Sequence, residues 1–159
     1  MHTTYLLTGS NMGDSLANLN RARLIIEKKV GEIKKISSVY KTEPWGNRDQ
    51  QSFFNEVLKV HTELEPDSLL KTILEIEKEM GRSRNIKWEP RIIDIDILFF
   101  DDLISDSIDL KIPHPLLQER RFTLVPMNEV ASEFIHPVFK KSISRLLSEC
   151  SDTGNVEKL

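Results

Sequence analysis

At 159 residues, with 39% hydrophobic and 30% charged side chains, the chain has the length and balance of one soluble globular domain over 1–159. Its net charge of −3 excludes nucleic acid as the main partner, and no apolar run approaches the length of a membrane span. Cys150 stands alone and the first residues lack a secretory signal, so a reducing cytoplasm is expected.

Thr4 to Thr8 reads as a short strand, and Gly9 to Asp14 as turn chemistry. A helix follows, capped by Asp14 or Ser15, with Leu16, Leu19, Ala22 and Ile26 on one stripe and Gly31 ending it. Ile33 to Tyr40 reads as a second strand and Lys41 to Ser52 as a loop. Phe53 to Thr62 reads as a third strand. Pro66 opens a second helix, with Leu69, Leu70, Ile73, Leu74 and Met80 inward and Gly81 stopping it. Arg82 to Pro90 is a polar loop, and Ile92 to Phe100 is the fourth strand. The order β-α-β-β-α-β predicts an α+β, ferredoxin-like core: an antiparallel sheet with helices packed on it. The residues after Phe100 form a C-terminal extension expected against the sheet's edge or end. It holds a short helix near Leu116 to Arg120, an amphipathic helix around Ile143 to Leu147, and a frayed tail from Ser151.

Asp94 and Asp96 carry the strongest chemical signal. Their spacing in a strand puts both carboxylates on one side, roughly 6–7 Å apart along the backbone. Ile93, Ile95, Ile97 and Phe99 take the other side, while Leu98 and Phe100 continue the side of the acids. A strand apolar on both faces is expected at the centre of a sheet. Buried acids need a divalent cation or arginine partners, and both resolutions are open from this motif. Arg82, Arg84, Lys87 and Arg91 lie just upstream. Guanidinium groups and a hard cation both seek phosphate oxygens, a common combination in phosphoryl transfer. Without those neighbours, Arg82 and Arg84 read as part of a solvated loop. No glycine-rich phosphate loop and no zinc-ligand spacing occurs. His114, between two prolines, is the one histidine in suggestive company. Trp45, Phe53 and Asn55 could grip a planar heterocycle, although core packing and a strand-end hydrogen bond explain the latter two as well.

Taken together, these segments resemble the 6-hydroxymethyl-7,8-dihydropterin pyrophosphokinases of folate synthesis, from Leu7 to about Ala131. The resemblance rests on Gly9-Ser10-Asn11, Tyr40-Lys41-Thr42-Glu43-Pro44-Trp45-Gly46, Asp49-Gln50 with Phe53-Phe54-Asn55, and Glu77 through Arg84. It continues through Trp88 to Leu98, Pro113-His114-Pro115 and Glu119-Arg120-Arg121-Phe122. It implies pyrophosphate transfer from ATP to the hydroxymethyl group of 6-hydroxymethyl-7,8-dihydropterin, leaving AMP. Asp94 and Asp96 would hold two Mg²⁺ ions, with Arg82 and Arg91 catalytic. Glu77, Arg84, Trp88, Arg91, Ile97, His114 and Arg120 would bind ATP. Thr42, Pro44, Trp45, Phe53, Asn55 and Phe122 would bind the pterin, the two phenylalanines sandwiching its ring. The expected partners are these two small molecules, with no nucleic acid and no membrane, and the chain is expected to be a monomer. Glu89, Gln51 and Leu116 depart from the family's pattern and bear on loop geometry and nucleotide affinity. A non-catalytic binding module and a magnesium-dependent phosphohydrolase are the rival readings.

Overall fold

The computed structural model describes residues 1–43, 51–81 and 92–159. In chain order the elements are β1 (His2–Ser10), α1 (Ser15–Lys29), β2 (Gly31–Ile36), β3 (Tyr40–Thr42), β4 (Phe53–Thr62), α2 (Pro66–Glu79) and β5 (Asp94–Phe100). A small hairpin follows, β6 (Ser105–Asp106) and β7 (Lys111–Ile112), then a 3₁₀ turn at Leu117–Glu119. The chain closes with α3 (Arg121–Ala131), α4 (Ile143–Glu149) and β8 (Val156–Lys158). The main sheet runs β5-β1-β4-β3-β8, with β2 also paired to β4, and every pairing is antiparallel. This is the expected βαββαβ arrangement with an antiparallel sheet and helices packed on it.

Each helix and strand follows from its residues, with some differences from the sequence expectation. Asp14 caps α1 by accepting the Ala17 N–H at 3.1 Å. The buried stripe of α1 is Ser15, Leu19, Ala22 and Ile26, and Leu16 is exposed. Gly31 does not stop the helix; it opens β2. A Cβ there would sit 2.0 Å from the His61 carbonyl oxygen, so glycine is what lets the two strands approach. On α2, Ile76 and Glu77 turn inward and Leu74 turns out. Gly81 does end its helix, at φ +90°. The expected second strand breaks into β2 and β3 at Ser37. There the Val57 N–H donates to the Ser37 hydroxyl at 2.9 Å, and the side chain stands in for a backbone partner.

The sheet is covered on both faces. Leu6, Leu58, Val60, Ile93, Ile95 and Ile97 pack under α1 and α2. Tyr5, Leu7, Val57, Leu98 and Phe99 pack under α3 and α4. The C-terminal residues thus form a second helical layer over one face, and their last strand also adds to the sheet's edge. Helix α3 escapes the sequence pattern because Pro126 lies inside it, where proline ordinarily breaks a helix. The expected frayed tail is ordered as β8, paired with β3.

Strand β5 lies at the sheet's edge, not its centre; the helix layers account for its apolarity on both faces. Its register against β1 shifts between Leu6↔Ile97 and Tyr5↔Phe99, leaving Leu98 as an extra residue. Phe99 therefore joins the α3 side and Phe100 the α1–α2 side, the reverse of strict alternation.

His136 anchors the loop between α3 and α4. Its Nδ1 accepts from the Val138 and Phe139 N–H groups at 3.1 and 3.2 Å, and its ring lies against Phe99 and Phe139. Burial holds its pKa down, to about 4 from an ordinary 6.5. With the folded value depressed, the contribution is complete above pH 6.5 and is lost as pH falls through 4. His136→Asn keeps an acceptor and cannot titrate. Denaturant unfolding at pH 7 and 4.5 should show a drop in stability smaller in the variant than in wild type, by on the order of 1–2 kcal/mol. Equal drops would contradict this role.

Candidate functional site

Asp94 and Asp96 start β5, half-buried and pointing to the α3 side of the sheet. They face Gly9 and Leu7 of β1. Between them the Ile95 N–H donates to Glu77 Oε2 at 2.8 Å. Glu77 is buried at the end of α2, so this carboxylate ties helix to strand where the acids begin. No group of three or more His, Cys, Asp or Glu side chains able to hold a metal is found among the described residues. Two carboxylates alone suit Mg²⁺, which takes one or two protein carboxylates and completes its shell with water and substrate phosphates. The donor set therefore fits that ion and not zinc.

A cleft of about 1110 Å³ opens along the free edge of β5. Its walls include Leu70, Lys71, Leu74 and Lys78 of α2, Asp96 and Ile97 of β5, Leu110 and Lys111 at β7, and His114. Asp96, Ile97 and His114 were legible beforehand; the lysines and leucines were not. No sequence signal marked them: the spacing put Leu74 inward, whereas it is 40% exposed beside Lys71 and Lys78.

His114 is fastened to the strand by its own N–H, which donates to the Leu98 carbonyl at 3.1 Å. Burial pushes its pKa down to about 4, Arg120 adds to that, and Asp94 opposes it. The ring is neutral at pH 7. Its Nδ1 accepts the Leu116 N–H at 3.2 Å, which leaves the proton on Nε2. Arg120 lies over the Phe122 ring, 5.6 Å from its centre. Leu116 is 40% exposed.

A second group forms on the same face of the sheet. Thr42 pairs with Phe53, and Tyr40 with Asn55. Asn55 is buried and faces Gly9, which in turn faces Asp94. One row across the sheet thus reads Tyr40, Asn55, Gly9, Asp94. Two strand spacings put the Asn55 and Asp94 backbones about 10 Å apart. The only residue between them has no side chain, and the Asn55 amide leans into the space this leaves. A Cβ on Gly9 would lie 2.3 Å from the Asn55 side-chain oxygen. Phe122, in the first turn of α3, packs over this face with Leu7, Val57 and Leu98. Gln51, just before β4, reaches the start of α1, donating to the Gly13 carbonyl and the Ser15 hydroxyl at 3.1 Å each. Pro44, Trp45, Arg82, Arg84, Trp88, Glu89 and Arg91 lie outside the described residues.

Residues 5–132 match the family described as 7,8-dihydro-6-hydroxymethylpterin-pyrophosphokinase (HPPK). The chain is 42% identical over 149 residues to a 2-amino-4-hydroxy-6-hydroxymethyldihydropteridine pyrophosphokinase of Aquifex aeolicus, covering 94% of this chain and 92% of that one. It is 37% identical over 130 residues to the protein of that name in Bacillus subtilis, covering 81% and 78%. A folic acid synthesis protein FOL1 of Dictyostelium discoideum is 40% identical, over 98% of this chain and only 23% of its own length. Among solved structures, a Plasmodium falciparum HPPK-DHPS triple mutant superposes with a TM-score of 0.79 at 20% identity, over 93% of this chain and 43% of that one. At that identity the likeness speaks for the fold.

Gly9→Ala tests the central row. The new methyl must displace the Asn55 amide, and the fold should lose about 1–3 kcal/mol in denaturant unfolding. Unchanged stability would mean that the amide is not seated beside Gly9.

Proposed function

The chain belongs to the 7,8-dihydro-6-hydroxymethylpterin-pyrophosphokinase family, and on that premise we propose how its residues carry the reaction. It is a pyrophosphokinase of folate biosynthesis. In the proposal, the hydroxymethyl oxygen of 6-hydroxymethyl-7,8-dihydropterin forms a bond to the β-phosphorus of ATP. The bond from that phosphorus to the oxygen bridging to the α-phosphate breaks, its electron pair leaves with AMP, and the hydroxyl proton is released. The observation that carries this reading is the row Asn55, Gly9, Asp94. Asn55 and Asp94 stand on one face of the sheet on either side of Gly9, which supports an amide for the ring edge near an acid for the phosphate end.

Asn55 donates to and accepts from the pterin edge, and Thr42, Pro44 and Trp45 are assigned to the same ligand. Phe53 and Phe122 flank the ring. Ile97, His114 and Arg120 line the nucleotide in the cleft, with Glu77 behind the strand. His114 is neutral with its proton on Nε2, so it can donate a hydrogen bond without adding charge. Asp94 and Asp96 would hold two Mg²⁺ ions, whose charge would offset that of the polyphosphate. Arg82 and Arg91 neutralise the pyrophosphoryl group in transfer, and Arg84 and Trp88 close over it. In this proposal the enzyme works as a cytoplasmic monomer on two small molecules, with no nucleic-acid or membrane partner.

Supplying ATP, Mg²⁺ and the reduced hydroxymethylpterin, then identifying the nucleotide product, tests the reaction. AMP is expected; ADP alone would contradict pyrophosphoryl transfer. Arg82→Ala should lower kcat by roughly 100-fold, the scale of one lost transition-state donor, and change ATP binding far less. Equal turnover in wild type and variant would remove Arg82 from the chemistry.

A further inference from the structure

We infer that Asp152, in the C-terminal segment, is a positioning residue that sets the spacing of the proposed pterin slot. The inference rests on the placement of Phe122 in that slot. Both oxygens of the Asp152 carboxylate are used. Oδ2 accepts the Arg121 N–H at 3.0 Å, and Oδ1 accepts the Gly154 N–H at 2.9 Å. Arg121 is the first residue of α3, and the residue before it, Arg120, supplies no side-chain cap. The cap therefore comes from far along the chain. A carboxylate at a helix N-terminus also meets the positive end of the helix dipole.

The second bond closes a local turn two residues along the chain, which leads into the sheet. Beyond Gly154 the chain enters β8, where Val156 pairs with Thr42 and Lys158 with Tyr40. The Leu159 N–H then donates to the Val39 carbonyl at 3.0 Å. Asp152 thus joins the start of α3 to the strand that flanks Thr42. The other end of α3 is tied separately to β3, the neighbour of β8. Glu129 accepts the Ser38 N–H at 2.8 Å and its hydroxyl at 3.1 Å, and also the Tyr40 hydroxyl.

Helix and sheet are therefore fastened at two points, one near each helix end. Phe122 follows Arg121 directly, so the Asp152 tie controls how far its ring stands from Thr42, Phe53 and Asn55. Arg120 shares this turn through its carbonyl, which accepts the Thr123 and Leu124 N–H groups at 3.1 Å, but its own N–H is anchored separately on the Leu117 carbonyl at 3.3 Å. Loss of Asp152 should therefore reach the pterin side and spare the nucleotide side.

Steady-state kinetics separate these effects. Asp152→Ala should raise the KM for the reduced hydroxymethylpterin about fivefold, the scale of one lost helix cap, with the KM for ATP changed less than about twofold. Asp152→Asn keeps one acceptor oxygen and should recover part of the loss; it also serves if the alanine variant does not fold. Phe122→Ala is the control for the slot. If Phe122→Ala raises the pterin KM and neither Asp152 variant does, the slot stands and the positioning role is overturned. Pterin and ATP KM rising together in the Asp152 variants would also overturn it, as general loosening. An unchanged pterin KM in Phe122→Ala would remove the slot, and the inference with it.

Discussion

Two carboxylates on one side of one strand cannot both stay charged and half-buried without positive charge beside them. That constraint organises the region around Asp94 and Asp96. It is sharpened by Glu77 at the end of α2, a third carboxylate, which accepts the Ile95 N–H between the acids. It also explains why the strand lies at the sheet's edge. There Asp96 borders an open cleft, whereas a central strand would have had a neighbour on both sides.

The fold supplies the rest by simple means. An antiparallel sheet covered on both faces is rigid enough to hold side chains in fixed rows. Gly9 clears one place in such a row, between an amide and an acid. The two helical layers have different duties. Helices α1 and α2 pack against the face of Ile93, Ile95 and Ile97, and α2 also walls the cleft. Helices α3 and α4 pack against the face that carries Asn55 and the acids, and α3 brings Phe122 and Arg120 over it.

Much of this was legible in the sequence. The period-two spacing of Asp94 and Asp96 and the span of β4 needed no tertiary information, and the element order to Phe100 gave the sheet. The misses have physical causes. A bulge at Leu98 exchanged the faces of Phe99 and Phe100, and no spacing rule announces a bulge. Pro126 hid α3, because a helix with a proline inside it survives only where tertiary packing compensates, here under Leu124, Met127 and Val130. Gly31 looked like a helix stop, since the close approach of His61 that requires it belongs to a residue thirty positions away. The polar tail looked frayed because β8 is held by backbone pairing to β3 and by Asp152, and neither leaves an apolar pattern. At the site, the lysines of the cleft were missed because a surface lysine has no distinguishing neighbours in sequence.

The central claim is that the acids of β5 are cation anchors for a bound polyphosphate. A crystal structure of the chain with Mg²⁺ and a non-hydrolysable ATP analogue tests it most directly. The account predicts metal density bonded to oxygens of both Asp94 and Asp96 and to the analogue's phosphates. Phosphates bound elsewhere, with the two acids closed by guanidinium groups and no ion on them, would contradict it.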